Sequence, residues 1–294
     1  MEKESLKEPL LHGTTAFPLA VYPMNFPKHQ HSFAYLHYHT EFELLVASKG
    51  KLLVQIEEQC YPLAEGEGIF INSGLLHTIT APEDETAGHG FLAVVFDYSL
   101  LCTEQEAAFQ QYIQPLLHGT FELNPLLSSS ACGLVRTICT MYESSVFGRE
   151  LFIKHCLLHI FYLLVKDVTP GRTALPSTKS TLVKETLNYI KQHFAEPVSL
   201  KDLAEHVHVS REYLCRTFHT LSGSSPLEYL NRYRIRQSTF LLARTDRQIS
   251  DIALACGFNH SSYFGKLFFQ YMGCTPTQYR KQNLPVPPLT SLVC

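Results

Sequence analysis

The C-terminal third of the chain is an internal duplication, and a repeated unit of this size leaves few folds open. Leu214, Arg216, Phe218, Gly223, Pro226 and Tyr229 return fifty residues later as Phe264, Lys266, Phe268, Gly273, Pro276 and Tyr279. Ahead of them, Asp202, Leu203 and Ala204 return after 49 residues as Asp251, Ile252 and Ala253, so the second copy has a turn one residue longer. Each copy reads as helix, short turn, helix. Ser199 and Asp202 have the spacing of a capping box, Ser210 is placed to cap the next helix, and Gly223 to end it. Leu214, Phe218 and Leu221 fall on one face and predict the inward side.

Helix, tight turn, helix is the unit that lays its second helix in a DNA major groove. The outward face of the first copy carries Arg211, Glu212, Cys215, Arg216 and His219; that of the second carries His260, Ser261, Ser262 and Lys266. Arginine reads guanine bidentately, and serine and histidine serve base edges or phosphates. Residues 226–244 predict one joining helix, about 28 Å long at the usual rise. That length suits two recognition helices in successive major grooves about 34 Å apart. Arg232, Arg234, Arg236 and Arg244 add positive charge along it, for phosphate or for pairing with Glu228 and Asp246. Charge follows the same division. Residues 1–176 hold 10 Lys and Arg against 19 Asp and Glu, a net of −9; residues 177–294 hold 14 against 8, a net of +6. Only the C-terminal part is suited to a polyanion.

Residues 180–284 resemble the AraC/XylS regulators. The stretch from Asp251 through Gly257-Phe258-Asn259-His260-Ser261-Ser262-Tyr263-Phe264 to Phe268, then Gly273, Pro276 and Tyr279-Arg280, follows that family's signature, and residues 210–226 follow its first unit. The resemblance implies that Glu212, Cys215, Arg216, Ser261, Ser262 and Lys266 face the groove. Gln248 departs from the pattern, standing where the family often has a Ser or Thr cap.

From about Phe33 to Phe96 the chain reads as short alternating strands, such as Phe42-Glu43-Leu44-Leu45-Val46, separated by glycine-rich turns. This predicts a sandwich or barrel. From Thr103 to Lys166 the pattern is helical. Leu151 to Leu164 is apolar around most of its circumference, so the helix is either a core helix or a surface for a second subunit; the second is favoured. Residues 167–180, with two prolines, a glycine and many hydroxyls, read as a linker.

Within the strands, His37-x-His39-x-x-x-Glu43 is followed by Gly66-x5-Asn72-x-Gly74-x-x-His77, which resembles the two cupin motifs with Asn72 where proline is usual. In metal-binding cupins the matching histidines and glutamate hold a divalent ion, and alternation along a strand sends His37 and His39 to the same side. The reading favoured from the sequence is a site for a small polar ligand lined by His37, His39, Glu43, His77 and Tyr35, with no resident cofactor; a metal at the same four ligands is the alternative. Tyr38 and Phe42 read as core aromatics or as a platform for a ring.

The fold class expected is therefore multidomain: a cupin-like β-barrel plus helices for sensing and dimerisation (1–170), a linker (171–182), and an all-α domain with two helix-turn-helix units (183–284). Nine cysteines without a C-x-x-C pair predict buried, reduced thiols. No apolar run long enough for a membrane span occurs and the N-terminus lacks a signal peptide, so a cytoplasmic protein is expected. The function expected is a sequence-specific transcription regulator, not an enzyme. Its expected partners are double-stranded DNA, a small-molecule effector and a second copy of itself. The family's habit points to a carbohydrate or related metabolite. A cupin isomerase or dioxygenase is the competing reading, but nothing else in the chain supplies acid–base machinery and the repeat would have no purpose. A regulator with a merely structural barrel is the third.

Overall fold

The computed structural model describes residues 12–26, 32–82, 88–119, 123–166, 168 and 178–281. The chain divides into two compact units, residues 1–176 and 177–294.

The first unit holds eight strands: β1 (Leu19–Phe26), β2 (Ser32–His37), β3 (Phe42–Lys49), β4 (Leu52–Ile56), β5 (Gln59–Leu63), β6 (Gly68–Ile71), β7 (His77–Thr80) and β8 (His89–Phe96). They form two antiparallel four-stranded sheets, ordered β1-β8-β3-β6 and β2-β7-β4-β5. β1 lies before the first strand expected. Pro23 weakens its strand signal, and the proline is tolerated because β1 is an edge strand.

β3 explains the layering. Leu45 and Ala47 pack between the sheets with Leu52, Val54, Ile71 and Phe91. Phe42, Leu44 and Val46, alternating with them, face away toward helices. A strand covered on both faces reads as a continuous apolar run, and Glu43 interrupts it on the inter-sheet side. The covering layer comes from α2 (Ser129–Tyr142) and α3 (Arg149–Val165), through Val135, Ile138, Ile153, Cys156, Ile160 and Phe161. The stretch from Thr103 is less continuous than its pattern predicts. A π-turn over Phe109–Ile113 runs into the single turn α1 (Gln114–Leu117), and no further helix is described before Ser129. α3 buries one face only, leaving Leu151 (75% exposed), Phe152, Leu158 and Tyr162 (61%) on the other, beyond the exposed Val146 and Phe147.

The second unit is helical: α4 (Thr178–His193), α5 (Leu200–His206), α6 (Arg211–Ser222), α7 (Pro226–Arg244), α8 (Ile249–Ala255), α9 (Ser261–Met272) and α10 (Pro276–Lys281). α4 corrects the expected linker at its end. Residues 178–182 are helix because Ser180 and Leu182 are buried with Val183, Leu187 and Ile190, a face that the serine- and threonine-rich composition concealed. Residues 171–177 of that linker, and 282–284 of the expected domain, lie outside the described residues.

The capping expected for the first repeat is present. The Ser199 hydroxyl accepts from the Asp202 amide while the Asp202 carboxylate accepts from the Ser199 amide, and Ser210 accepts from the Tyr213 amide. Gly223 and Gly273 end α6 and α9 in the left-handed region. The duplication extends to geometry: the Phe218–Tyr229 rings meet edge-on at 5.7 Å and the Phe268–Tyr279 rings at 5.6 Å.

α7 runs over the residues expected, but its arginines divide differently. Arg232 pairs with Glu228 at 2.8 Å. Arg234 is buried and donates from Nε to the Phe194 carbonyl and from Nη2 to the Glu196 carbonyl, both at 2.7 Å. Arg236 is buried as well, so neither is placed to meet phosphate.

The turn between α8 and α9 closes on Arg234. Gly257 sits at φ +82, and a Cβ there would lie 2.5 Å from the Phe194 carbonyl oxygen and 2.9 Å from Arg234 Nε. Gly223 also has positive φ (+67) but open space around it. In chemical denaturation of the full chain, Gly257→Ala is expected to cost at least about 2 kcal/mol, from strain plus the clash. Gly223→Ala is expected to cost about 1 kcal/mol, from the left-handed backbone alone. Equal losses would mean that the Arg234 contacts give way.

Candidate functional site

Four of the five ligand residues expected from the sequence converge between the sheets' strands. His37 closes β2 and lies opposite His77, the first residue of β7, in the pairing of those strands. His39 sits on the link from β2 to β3, and Glu43 projects from β3 on the same side as Leu45. One ligand atom from each of His37, His39, Glu43 and His77 falls within 4.8 Å of all the others. Glu43 Oε2 is 3.1 Å from His39 Nε2 and 3.3 Å from His77 Nε2. Of these only the first has hydrogen-bond geometry, which leaves His77 Nε2 buried without a hydrogen-bond partner.

The far side of each ring is held by the backbone. Nδ1 of His37 donates to the Tyr35 carbonyl at 2.7 Å, that of His39 to the Glu41 carbonyl at 3.0 Å, and that of His77 to the Leu75 carbonyl at 2.9 Å. A carbonyl only accepts, so each Nδ1 carries a proton.

Burial pushes the Glu43 carboxyl up, but the His39 and His77 imidazoles outweigh it and hold the group ionised, well below the usual carboxylate range. Burial pulls His39 down, yet the hydrogen bond and charge of Glu43 carry it above its ordinary value. His37 is lowered well below that value by burial and by the neighbouring His77 and His39. The cluster thus holds a carboxylate, one imidazole that gains a proton easily and one that refuses it.

Sequence reasoning missed two neighbours. His12, in the segment before β1, is buried with its Nδ1 2.8 Å from the Tyr22 hydroxyl and its ring centroid 5.7 Å from that of His39. Burial lowers the His12 pKa and pushes the Tyr22 hydroxyl up to about 12. Neither residue belongs to a motif. Alternation along β1, which puts Tyr22 and Met24 on the same side, is the only signal for Tyr22, and His12 has none. Tyr35 is half-buried beside the cluster through its own carbonyl contact. Phe42 is not a platform for this pocket: it faces the helices, packed on Phe70, Phe96 and Phe161. Asn72 donates from Nδ2 to the Leu116 carbonyl, tying the end of β6 to α1.

In the second unit, the two recognition-type helices match residue for residue. From Arg211 to Thr220 and from Ser261 to Gln270 the sequence of exposed and buried positions is the same. Leu214 and Phe218 in one copy, Phe264 and Phe268 in the other, have no accessible surface. That burial fixes the helix rotation, so Arg211, Glu212 and Arg216 are exposed together on α6, and Ser261, Ser262 and Lys266 together on α9. Cys215 is half-buried and His260 is the exposed residue that precedes α9. The Arg216 guanidinium lies 5.6 Å from the Tyr213 ring centre, which props it outward.

Two family descriptions match the chain: an AraC-like ligand binding domain over residues 19–159 and a helix-turn-helix domain over residues 203–282. The chain belongs to the AraC family of transcription regulators. Among its relatives, an uncharacterized HTH-type transcriptional regulator of Bacillus subtilis (strain 168), YdeC, is 29% identical over 95% of this chain and 97% of its own length. The HTH-type transcriptional activator RhaR of Salmonella schwarzengrund is 24% identical over 88% of this chain and 89% of its own length. Among solved structures, ToxT from Vibrio cholerae O395 covers 91% of this chain and 98% of its own at 14% identity, with a TM-score of 0.48.

This AraC-type protein is accordingly a DNA-binding transcription regulator with a ligand-binding domain, from a non-enzymatic family. No helix among the described residues is long and apolar enough to cross a membrane. The described cysteines are all free, and five of the eight are buried; burial pushes Cys139 to about 11 and Cys256 to about 12.

The charge of Glu43 is what raises His39, which fixes the sign of a test. In chelator-treated Glu43→Gln protein the His39 imidazole is expected to titrate below its wild-type value, because burial then acts with less opposition. A histidine proton NMR titration reads this directly, and an unchanged value would separate His39 from Glu43.

Proposed function

We propose that this regulator binds a small polar effector, a carbohydrate or related metabolite, in its N-terminal unit, and reads DNA through α6 and α9. The observation that carries the DNA reading is the shared burial pattern of those helices, which turns the same side of each toward solvent. On it, Arg211, Glu212, Cys215 and Arg216 serve one major groove and His260, Ser261, Ser262 and Lys266 the next. α7 sets their spacing. Arg216 reads a base edge; Lys266, a point charge on a flexible stem, neutralises phosphate.

The effector reading rests on a buried polar cluster inside an otherwise apolar inter-sheet space, where Tyr22 and His12 add a hydroxyl and an imidazole near His37, His39, Glu43 and His77, and Tyr35 lends its carbonyl to His37. A regulator needs the two states of its DNA-binding form to differ in affinity for the signal. A homodimer is the simplest element to carry that difference, and α3 offers the face. Leu151, Phe152, Leu158 and Tyr162 lie along one exposed side, with Phe147 fully exposed before the helix. Apolar residues contiguous on a surface mark a contact site. The Thr178 start of α4 leaves residues 167–177 as the connection between the sensing and DNA-binding units.

Three measurements test these statements. Operator affinity is expected to fall linearly on a logarithmic plot against salt; Lys266→Ala shallows the slope by about 1 at every sequence, while Arg216→Ala costs about 1–3 kcal/mol and relaxes one base position. A flat salt dependence would refute the interface. In sedimentation at micromolar concentration the wild-type chain is expected to be a dimer and Leu158→Asp a monomer that keeps its folded circular-dichroism spectrum and melts somewhat lower, having lost the stabilisation that dimerisation adds. A monomeric wild type removes α3 from the scheme. An effector from a panel of sugars and small polar metabolites is expected to change operator affinity by about 5–150-fold; a thermal shift without such a change makes the barrel structural.

A further inference from the structure

We infer that the His37, His39, Glu43 and His77 cluster is a binding site for one divalent first-row transition-metal ion, contrary to the absence of a cofactor expected from the sequence. The argument is a count of donors. The three Nδ1 atoms are committed to the carbonyls of Tyr35, Glu41 and Leu75, so in the neutral rings all three Nε2 atoms present lone pairs. Glu43 adds a buried carboxylate. One ligand atom from each of the four residues lies within 4.8 Å of the others, and the Nε2 atoms of His39 and His77 both face Glu43 Oε2. A proton on His39 satisfies one contact, 3.1 Å from Glu43, and leaves His77 Nε2 buried without a hydrogen-bond partner. A cation at the centre satisfies all four.

The spacing fits an ion. Ligands held at about 2.1 Å in a tetrahedron stand about 3.4 Å apart. The two contacts of Glu43 Oε2, at 3.1 and 3.3 Å, are already there, and the rest of the set needs only a small closure of side chains. The Nδ1–carbonyl bonds are the outer support that metal-bound histidines use to fix their tautomer and ring direction. Three imidazoles and one carboxylate suit zinc, cobalt, nickel, iron or manganese rather than magnesium or calcium. A sugar hydroxyl brings one donor and so satisfies fewer of the four acceptors than a cation does. The assignment concerns the same pocket as the effector reading but stands without it.

The test uses the full chain, stripped with chelator and dialysed, then titrated with Co2+ while its visible ligand-field absorption is followed. The expected result is a band that saturates at one equivalent per chain, is displaced by Zn2+, and lacks a thiolate-to-cobalt charge-transfer band. His77→Ala and Glu43→Gln are expected to weaken Co2+ binding at least about tenfold. The exposed His155 and His159, one helical turn apart on α3, are the competing surface site; the His155→Ala, His159→Ala double variant is expected to bind as the wild type does. A wild-type chain with no saturable band overturns the proposal, whatever the variants do. So does a thiolate charge-transfer band, loss of the signal in the α3 double variant, or an unchanged affinity in folded His77→Ala protein.

Discussion

A guanidinium bonded to two backbone carbonyls ties the DNA-binding unit together. Arg234 sits in the middle of α7 and donates to two carbonyls just past the end of α4, so the joining helix is fastened to the first helix of the unit. Its other side meets the second repeat: its Cζ lies 5.7 Å from the Phe258 ring centre, and Gly257 leaves room for it. A buried charge is costly unless its donors are met, and breaking such a network costs more than making it yields. The choice of glycine at the turn follows from this contact. The residue at the matching point of the first repeat, His208, also has positive φ (+56), but only the second copy has glycine there, where a Cβ would strike the Phe194 carbonyl.

This arrangement accounts for what the sequence disclosed. Periodicity and caps are local, and they marked α5, α6 and α7 correctly: Ser199, Ser210 and Gly223 act at the places their spacing implied. The pairing of Arg234 with residues forty positions away is not local, and an arginine in a basic domain looks like a phosphate ligand whether it is buried or exposed. The start of α4 was hidden for a related reason. Ser180 is buried in that helix, and composition counts such a residue as linker. On α3 an apolar circumference did not distinguish a helix buried all round from one buried on one side with a bare face on the other.

The N-terminal pocket was legible in its members but not in its electrostatics. The resemblance of His37-x-His39-x-x-x-Glu43 and the later His77 to the cupin motifs named the four residues, while the pairing of β2 with β7 that brings His77 opposite His37 is visible only in the fold. Which nitrogen faces inward depends on the carbonyls of Tyr35, Glu41 and Leu75, set by backbone direction at the ends of β2 and β7. No residue type encodes that. The same limit applies to His12, which comes to the pocket from the segment before β1 rather than by a motif.

The two repeats reach one fold by different means. In the first, the side chains of Ser199 and Ser210 cap both helices; in the second, neither Gln248 nor His260 makes a side-chain cap. Each missing cap is worth about 1 kcal/mol. The second repeat instead carries a chain of ring contacts, Phe258–Phe264 at 5.2 Å, Phe264–Phe268 at 5.6 Å and Phe268–Tyr279 at 5.6 Å. In the first repeat, Leu214 occupies the place of Phe264, leaving the Phe218–Tyr229 contact. Aromatic pairs contribute about 0.5–1.5 kcal/mol each beyond the area they bury. With Phe258–Tyr263 at 6.3 Å the second repeat has three additional pairs, enough to offset two absent caps. α9 is thus held from its inner face without a capping side chain, and His260, Ser261 and Ser262 stand exposed at its start just as Ser210, Arg211 and Glu212 do at the capped start of α6.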